Sequence, residues 1–318
     1  MGFRSRTPFL NSTHQFKFIS IFSDLYSALR LPFANPNDTL QANRRSDARR
    51  KNVISTTPQG EDDVVHLSPV HTHVAIVTLN RPAAMNAISP EMAIRLGEIV
   101  ALTEADPAIR AVILTGAGGK AFCAGADLKS VSAGGANSLW TVDGGFAGFV
   151  AATRAKPWIA AVNGFALAGG FEIALAADMI VAADHASFGL PEVSRGLIAA
   201  AGGLFRLPRA IPRAIALELI ATGARITAAR GYQLGLVNRV VPANDVMAEA
   251  HALAAQICAN APIAARESLQ IARMATDLDE TDLVRLSAEA RARIMLTEDY
   301  REGPRAFVEK RPPNWTGR

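Results

Sequence analysis

Two glutamates stand where a carboxylate has little structural reason to be. Glu172 comes early in an apolar run that continues Ile173-Ala-Leu-Ala-Ala, and Glu192 lies between Pro191 and Val193 after Phe188-Gly-Leu. Burying a carboxylate is costly unless it is paired or put to use. Two such groups facing one another can divide into a proton donor and a proton acceptor. Just before Glu172, the segment Asn163-Gly164-Phe-Ala-Leu-Ala-Gly169-Gly170-Phe171 reads as a glycine-rich turn entering a helix. Such a turn exposes free N–H groups at the positive end of the helix dipole, which suits a developing oxyanion. A third segment, Phe122-Cys-Ala-Gly125-Ala126-Asp127-Leu128-Lys129, is rich in small residues that let a backbone approach a ligand closely. Each feature also has a plain structural reading. Glu172 complements a helix N-terminus, Glu192 follows a proline in a first turn, Asp127 caps a turn, Asp178 and Asp184 serve turns, and Cys123 packs as a small residue.

The elements that must carry these residues follow from pattern. His73–Leu79, Ala111–Leu114, Trp158–Val162 and Met179–Ala182 read as buried strands, dense in Val, Ile and Ala. Ser89-Pro90-Glu91 opens a helix, with Ser as N-cap, Pro in the first turn and Glu at the positive end. Met92, Leu96, Ile99 and Leu102 or Thr103 form its apolar stripe, and Asp106-Pro107 ends it. After Val241 the pattern is almost wholly helical, over Asp245–Ile257, Ile263–Met274 and Leu283–Leu296. Strands alternating with helices and followed by a helical tail predict an α/β core with a C-terminal helical region. No short-period sequence repeat is evident.

Composition excludes several classes. The 318 residues are 49% hydrophobic and 19% charged, enough to bury a core. The net charge of +4 is unevenly placed. Residues 1–60 hold nine Lys/Arg against three Asp, so the remainder has 24 bases and 26 acids and no net attraction for a phosphate backbone. No nucleic-acid partner is expected. Two cysteines, Cys123 and Cys258, make neither a disulfide framework nor a Cys-rich zinc site. The most apolar region, 157–183, is interrupted by Asn163, Glu172 and Asp178, so no membrane span is expected. Gly116-Ala-Gly118-Gly-Lys-Ala121 fits a relaxed dinucleotide fingerprint, yet no helix follows directly and no acid lies between Asp127 and Asp143. Gly119-Lys120 lacks the rest of a P-loop, there is no G-x-S-x-G elbow, and the six histidines form no H-E-x-x-H. His71 and His73 read as solvated or structural.

Residues 1–60 differ from the rest. Phe18, Phe22, Leu25 and Leu29 fall at helical spacing within an Arg-rich, acid-poor stretch that fits a mitochondrial targeting peptide. A poorly ordered extension, or upstream sequence translated from a misplaced start, fits as well. The expected organisation is an extension over 1–63, a core over 64–260 and a helical region over 261–318. The expected location is cytoplasmic, or the mitochondrial matrix if the extension is a transit peptide.

Taken together, the motifs resemble the crotonase family, the enoyl-CoA hydratase/isomerase superfamily. The resemblance runs from about Val65 to Arg318. It rests on Asn80-Arg-Pro-Ala-Ala-Met-Asn86-Ala, Ala121-Phe-Cys-Ala-Gly-Ala-Asp127-Leu-Lys129, Lys156-Pro-Trp-Ile-Ala-Ala-Val-Asn-Gly-Phe-Ala and Gly169-Gly-Phe-Glu172. It continues through Phe188-Gly-Leu-Pro-Glu192, Ala201-Gly-Gly-Leu-Phe-Arg-Leu-Pro208, Thr222-Gly-Ala-Arg-Ile-Thr-Ala-Ala229 and Glu302-Gly-Pro-Arg-Ala-Phe-Val-Glu-Lys-Arg311. Bacterial enoyl-CoA hydratases and carnitinyl-CoA dehydratase-like members look most alike in these segments.

The resemblance implies a spiral of ββα units and a C-terminal helical region that assembles a homotrimer or a dimer of trimers. It implies an acyl-CoA thioester substrate, CoA being part of the substrate, with no metal and no redox cofactor. The thioester carbonyl would sit between the N–H groups of Ala126 and Gly169. Ala84, Ala126, Asp127, Leu128, Lys129 and Gly169 would line the CoA channel, and Phe307 and Lys310 would approach the CoA of a neighbouring subunit. Glu172 would activate water and Glu192 would deliver the proton at Cα, so that the expected activity is enoyl-CoA hydratase. A carnitinyl-CoA-like dehydratase or an isomerase stands as the rival within the family. A non-catalytic RNA-binding or scaffold protein of the same fold is the rival from another class. Two departures bear on the acyl pocket: Ala168 stands where many hydratases carry Gly, and Leu197-Ile-Ala-Ala-Ala201 replaces a stretch that often contains Pro.

Overall fold

A computed structural model describes residues 63–318, so the expectations for the N-terminal extension lie outside the described residues. The strands in chain order are β1 (Val65–Leu67), β2 (Val74–Leu79), β3 (Ala111–Gly116), β4 (Ala121–Cys123), β5 (Trp140–Thr141), β6 (Gly145–Phe146), β7 (Trp158–Val162), β8 (Phe165–Leu167), β9 (Met179–Ala183), β10 (Ser187–Gly189), β11 (Arg225–Thr227) and β12 (Arg239–Val241). A large sheet has the order β1-β2-β3-β7-β9-β12, parallel from β2 onward. A small sheet has the order β11-β10-β8-β4, parallel except for β11. Strands β5 and β6 form a separate hairpin.

The chain places one strand in the large sheet and the next in the small one three times running, as β3–β4, β7–β8 and β9–β10. This is the spiral of ββα units that the family resemblance implies. It is a repeat in space without a repeat in sequence. The inner strands of the large sheet, β3 and β7, are buried at every residue. They read as continuous apolar runs because both faces are covered.

The helices are α1 (Pro90–Ala105), α2 (Gly169–Ala176), α3 (Gly203–Ala210), α4 (Arg213–Thr222), α5 (Ala228–Gln233), α6 (Val246–Cys258), α7 (Pro262–Met274), α8 (Glu280–Met295) and α9 (Glu298–Val308). Helix α6 packs across β3, β7 and β9 and closes one face of the large sheet. Helix α1 starts as its sequence demands, with the Ser89 hydroxyl accepting from the Met92 N–H at 3.3 Å. Its buried stripe includes Thr103, while Leu102 is half-buried. The buried Lys156 ammonium caps the other end by donating to the carbonyls of Thr103 and Asp106. Asp178 does more than serve a turn. It accepts from the Trp158 N–H at 2.8 Å and pairs with Arg273 at 2.7 Å, tying α7 to the head of β9. Among the described residues, no helix is long and apolar enough to cross a membrane.

The small sheet is where structure departs from the sequence reading. Phe165–Leu167, read as part of a glycine-rich turn, and Ser187–Gly189, assigned to no element in the sequence, are strands. Three residues carry no period, so nothing in the pattern marks them. Their partners do: Ala168 N–H, at the end of β8, donates to Gly189 O at the end of β10. That bond brings the two glutamate-bearing segments side by side.

Candidate active site

The site begins where β8 hands over to α2. Ala168 sits at φ 52°, ψ −131°, a backbone conformation that L-residues rarely adopt. It turns the chain sharply, so Gly169 becomes the first residue of the helix and its N–H has no acceptor among the described residues. The turn is packed from two sides. A Cβ on Gly169 would lie 2.5 Å from Phe146 Cε1, and one on Gly125 would lie 3.0 Å from the Gly169 nitrogen. Both positions require glycine, and the contact draws the 122–129 segment against the helix entrance.

That segment is held by Ile88. The Ile88 N–H donates to Gly125 O at 2.8 Å, and the Asp127 N–H donates to Ile88 O at 3.0 Å. In this strand-like bridge the residue between, Ala126, directs its own N–H to the opposite side, where no described residue accepts it. Ala126 and Gly169 thus offer two unpaired N–H groups on adjoining backbone. Two such preorganised donors are the arrangement that stabilises an oxyanion.

Glu172 occupies the first turn of α2 and is 3% exposed. Its Oε1 accepts from the Gly203 N–H at 2.8 Å. Burial pushes its carboxyl up to about 7; the Gly203 N–H opposes this, the negative charge of Glu192 adds to it, and the Ala201 N–H and Arg206 oppose it more weakly. Glu192 lies in a single turn over Pro191–Arg195 and is 9% exposed. Burial raises its carboxyl as well, against its own backbone N–H and Arg195. Its Oε2 is buried and has no hydrogen-bond partner among the described residues. Phe171, beside Glu172 in α2, and Phe188 in β10, four residues before Glu192, pack against each other with ring centroids 5.3 Å apart. The pair is therefore asymmetric: one carboxylate is anchored by an N–H, the other has an oxygen free for a substrate or a water.

The remaining sequence-predicted residues distribute unevenly. Asp127 caps a single turn over Leu128–Ser130 and pairs with Arg81 at 3.0 Å. Burial raises its carboxyl, but the Arg81 guanidinium and the Lys129 N–H outweigh this and hold it below the usual range. Ala84 is half-buried in the neighbouring turn Pro82–Ala84, while Leu128 and Lys129 are exposed. The side chain of Asn86, fully buried, welds that turn to the body through the carbonyls of Ala117 and Ala121. Phe307 and Lys310 are exposed at the end of α9, which packs on α8 rather than on the site. Cys123 is buried and inert, its thiol pushed up to about 12 by burial, against the Gly125 N–H. Among the described residues no cluster of His, Cys, Asp or Glu is built to hold a metal ion.

The sequence reading missed three parts of the site. Gly203 lies in the quoted segment Ala201-Gly-Gly-Leu, but nothing marked its N–H as the Glu172 partner. Arg206, three residues on, donates to Ala201 O and Val150 O. Phe146, in the β5–β6 hairpin, supports Gly169. Backbone donors and packing partners leave no residue-type signature, so of the three only Arg206, a charged side chain, offered a signal.

The family described as enoyl-CoA hydratase/isomerase matches residues 70–318. A carnitinyl-CoA dehydratase of Proteus mirabilis is 42% identical over 247 residues, covering 76% of this chain and 94% of that protein. Among solved structures, an enoyl-CoA hydratase from Mycobacterium tuberculosis aligns with a TM-score of 0.77 and 40% identity, covering 81% of this chain and 100% of that one. A carnitinyl-CoA hydratase from Mycobacterium avium aligns with a TM-score of 0.63 and 43% identity, covering 80% and 99%.

Proposed function

The chain belongs to the enoyl-CoA hydratase/isomerase family and is a lyase-type enzyme of its hydratase/dehydratase kind, and from that premise we propose that it adds water reversibly to a 2-enoyl-CoA thioester. The observation that carries the reading is the buried, mutually interacting pair Glu172 and Glu192 beside two unpaired backbone N–H groups.

In this reading the thioester oxygen accepts from Ala126 N–H and Gly169 N–H. Glu172, held in place by Gly203, takes a proton from water as the water oxygen bonds to C3. The C2–C3 π pair moves toward the thioester, and the two N–H groups stabilise the enolate oxygen. Glu192, protonated, delivers its proton to C2 as the carbonyl re-forms, giving the 3-hydroxyacyl-CoA. A proton must then pass from Glu172 to Glu192 to reset the pair, and their proximity supports that transfer. Burial raises both carboxyls, Glu172 to about 7, so each holds a proton more readily than an exposed glutamate does. Dehydration is the same path reversed. CoA enters as part of the substrate, along the 126–129 segment and Ala84, and Phe307 and Lys310 extend this path from a neighbouring subunit of a homotrimer or dimer of trimers. The reading is of a cytoplasmic enzyme.

The relatives named carnitinyl-CoA dehydratase favour a second reading, in which the acyl group is a carnitinyl chain. The test for both is the ultraviolet absorbance of the conjugated thioester. Rapid loss with crotonyl-CoA, abolished in Glu192→Gln, is the expected result. Absence of loss, with dehydration of carnitinyl-CoA intact, would transfer the assignment to the second reading. Absence of both would overturn hydro-lyase chemistry.

A further inference from the structure

We propose that Arg206 is a positioning residue for this reaction, a two-armed tie that holds the Glu172 carboxylate and the oxyanion turn in register; the inference rests on the hydratase/dehydratase reading above. Arg206 lies in the first turns of α3 and is half-buried. One arm, Nη1, donates to Ala201 O at 3.0 Å, and the other, Nη2, donates to Val150 O at 2.6 Å. The first arm lies directly on the turn that presents Gly203 N–H to Glu172. Gly202, at φ +116°, has so little room there that a Cβ would lie 2.0 Å from Arg206 Nη1.

The second arm reaches the other half of the site. Val150 belongs to a tight turn closed by Val150 N–H on Phe146 O and Ala151 N–H on Gly144 O. Phe146 in that turn packs on the Cα of Gly169. One planar guanidinium therefore joins the support of the carboxylate to the support of the oxyanion donor, a geometry that a lysine ammonium cannot reproduce. Arg154 reinforces the same turn, donating to Phe149 O and to Ala176 O at the end of α2. The charged groups around the Arg206 guanidinium are Glu172, Arg209 on its own helix and Arg154. Its positive charge favours ionised Glu172.

The test compares wild type, Arg206→Lys and Arg206→Met by kcat, KM and the pH profile of hydration. Arg206→Met is expected to lower kcat about tenfold or more with KM within about threefold, because positioning acts on the transition state rather than on binding. The acidic limb assigned to Glu172 moves to higher pH, since a nearby cation is lost. Arg206→Lys keeps that limb and recovers part of kcat. A folded Arg206→Met with wild-type kcat and limb overturns the proposal. If Arg206→Met does not fold, Arg206→Lys decides: wild-type kcat overturns the two-armed tie, and lowered kcat at unchanged KM supports it. Failure of both to fold assigns the side chain to stability alone and overturns the proposal. A second readout needs no turnover. The infrared carboxyl band of Glu172, identified by its loss in Glu172→Gln, is titrated in wild type and in the Arg206 variant that folds. An unchanged band and midpoint in Arg206→Met, or an unchanged band position in Arg206→Lys, overturns the positioning role. An inactive wild type with a shifted band would instead remove the functional reading and leave the tie standing.

Discussion

At the scale of single residues, Glu172 and Glu192 share burial but differ in partners, and their variants should differ accordingly. Glu192→Gln removes the proton that the free Oε2 edge would deliver, and hydration should fall by roughly 10²–10⁴ with no fall in melting temperature; steady-state kinetics with a thermal melt check both. Glu172 carries a stability signature. Its folded-state value, about 7, lies above the ordinary value of a glutamate, so folding favours the neutral carboxyl. The native state is then unpenalised below about pH 4.5 and loses stability as pH rises toward 7, by on the order of 3 kcal/mol. Glu172→Gln keeps an acceptor for Gly203 N–H and drops the charge. It should melt several degrees above wild type at pH 8 and close to it at pH 5. Both glutamates were legible in the sequence because a carboxylate inside an apolar run is conspicuous by type. Gly203 was not, because a backbone N–H is the same in every residue but proline.

At the scale of elements, the sharp entry to α2 concentrates the local strain. A non-glycine residue held at φ 52°, ψ −131° costs of order 1–3 kcal/mol, and Ala168 is such a residue. Ala168→Gly relieves that strain and loosens the unfolded chain, two effects of similar size and opposite sign. Its melting temperature should equal or exceed that of wild type, whereas Ala168→Val, β-branched at the same angles, should fall below it. At the start of α1, Ser89→Ala removes the acceptor for Met92 N–H and should cost about 1 kcal/mol in denaturant unfolding. The long elements were legible: β7 spans the residues read from the pattern, and α1 begins at its cap. Strands β4, β8, β10 and β11 were not, since three residues paired only with distant segments leave no periodicity.

At the scale of the whole molecule, the C-terminal helices bury little within one chain. Helix α8 has Ala290 as its buried residue, while Val284, Leu296, Phe307 and Val308 are well exposed. In the homotrimer or dimer of trimers proposed above, exposed apolar side chains of this kind would be covered by a neighbouring chain. Light scattering should therefore give a mass of several chains. Leu296→Asp combined with Phe307→Asp should reduce that mass, with the far-ultraviolet circular dichroism unchanged.

The chemistry available is written in residue order alone: two carboxylates in apolar settings, glycines where backbone must come close, a cap for α1 and apolar runs for the central strands. These are properties of residue type and local spacing, so one dimension suffices to read them. Tertiary structure alone decided which groups meet. The Ala168–Gly189 bond sets the glutamates side by side, Ile88 turns the Ala126 N–H outward, Gly203 anchors one carboxylate, and Arg206 ties that anchor to the turn supporting Gly169. Each of these contacts joins residues more than twenty positions apart or uses backbone atoms common to all residues, and neither circumstance leaves a mark in the order of side chains.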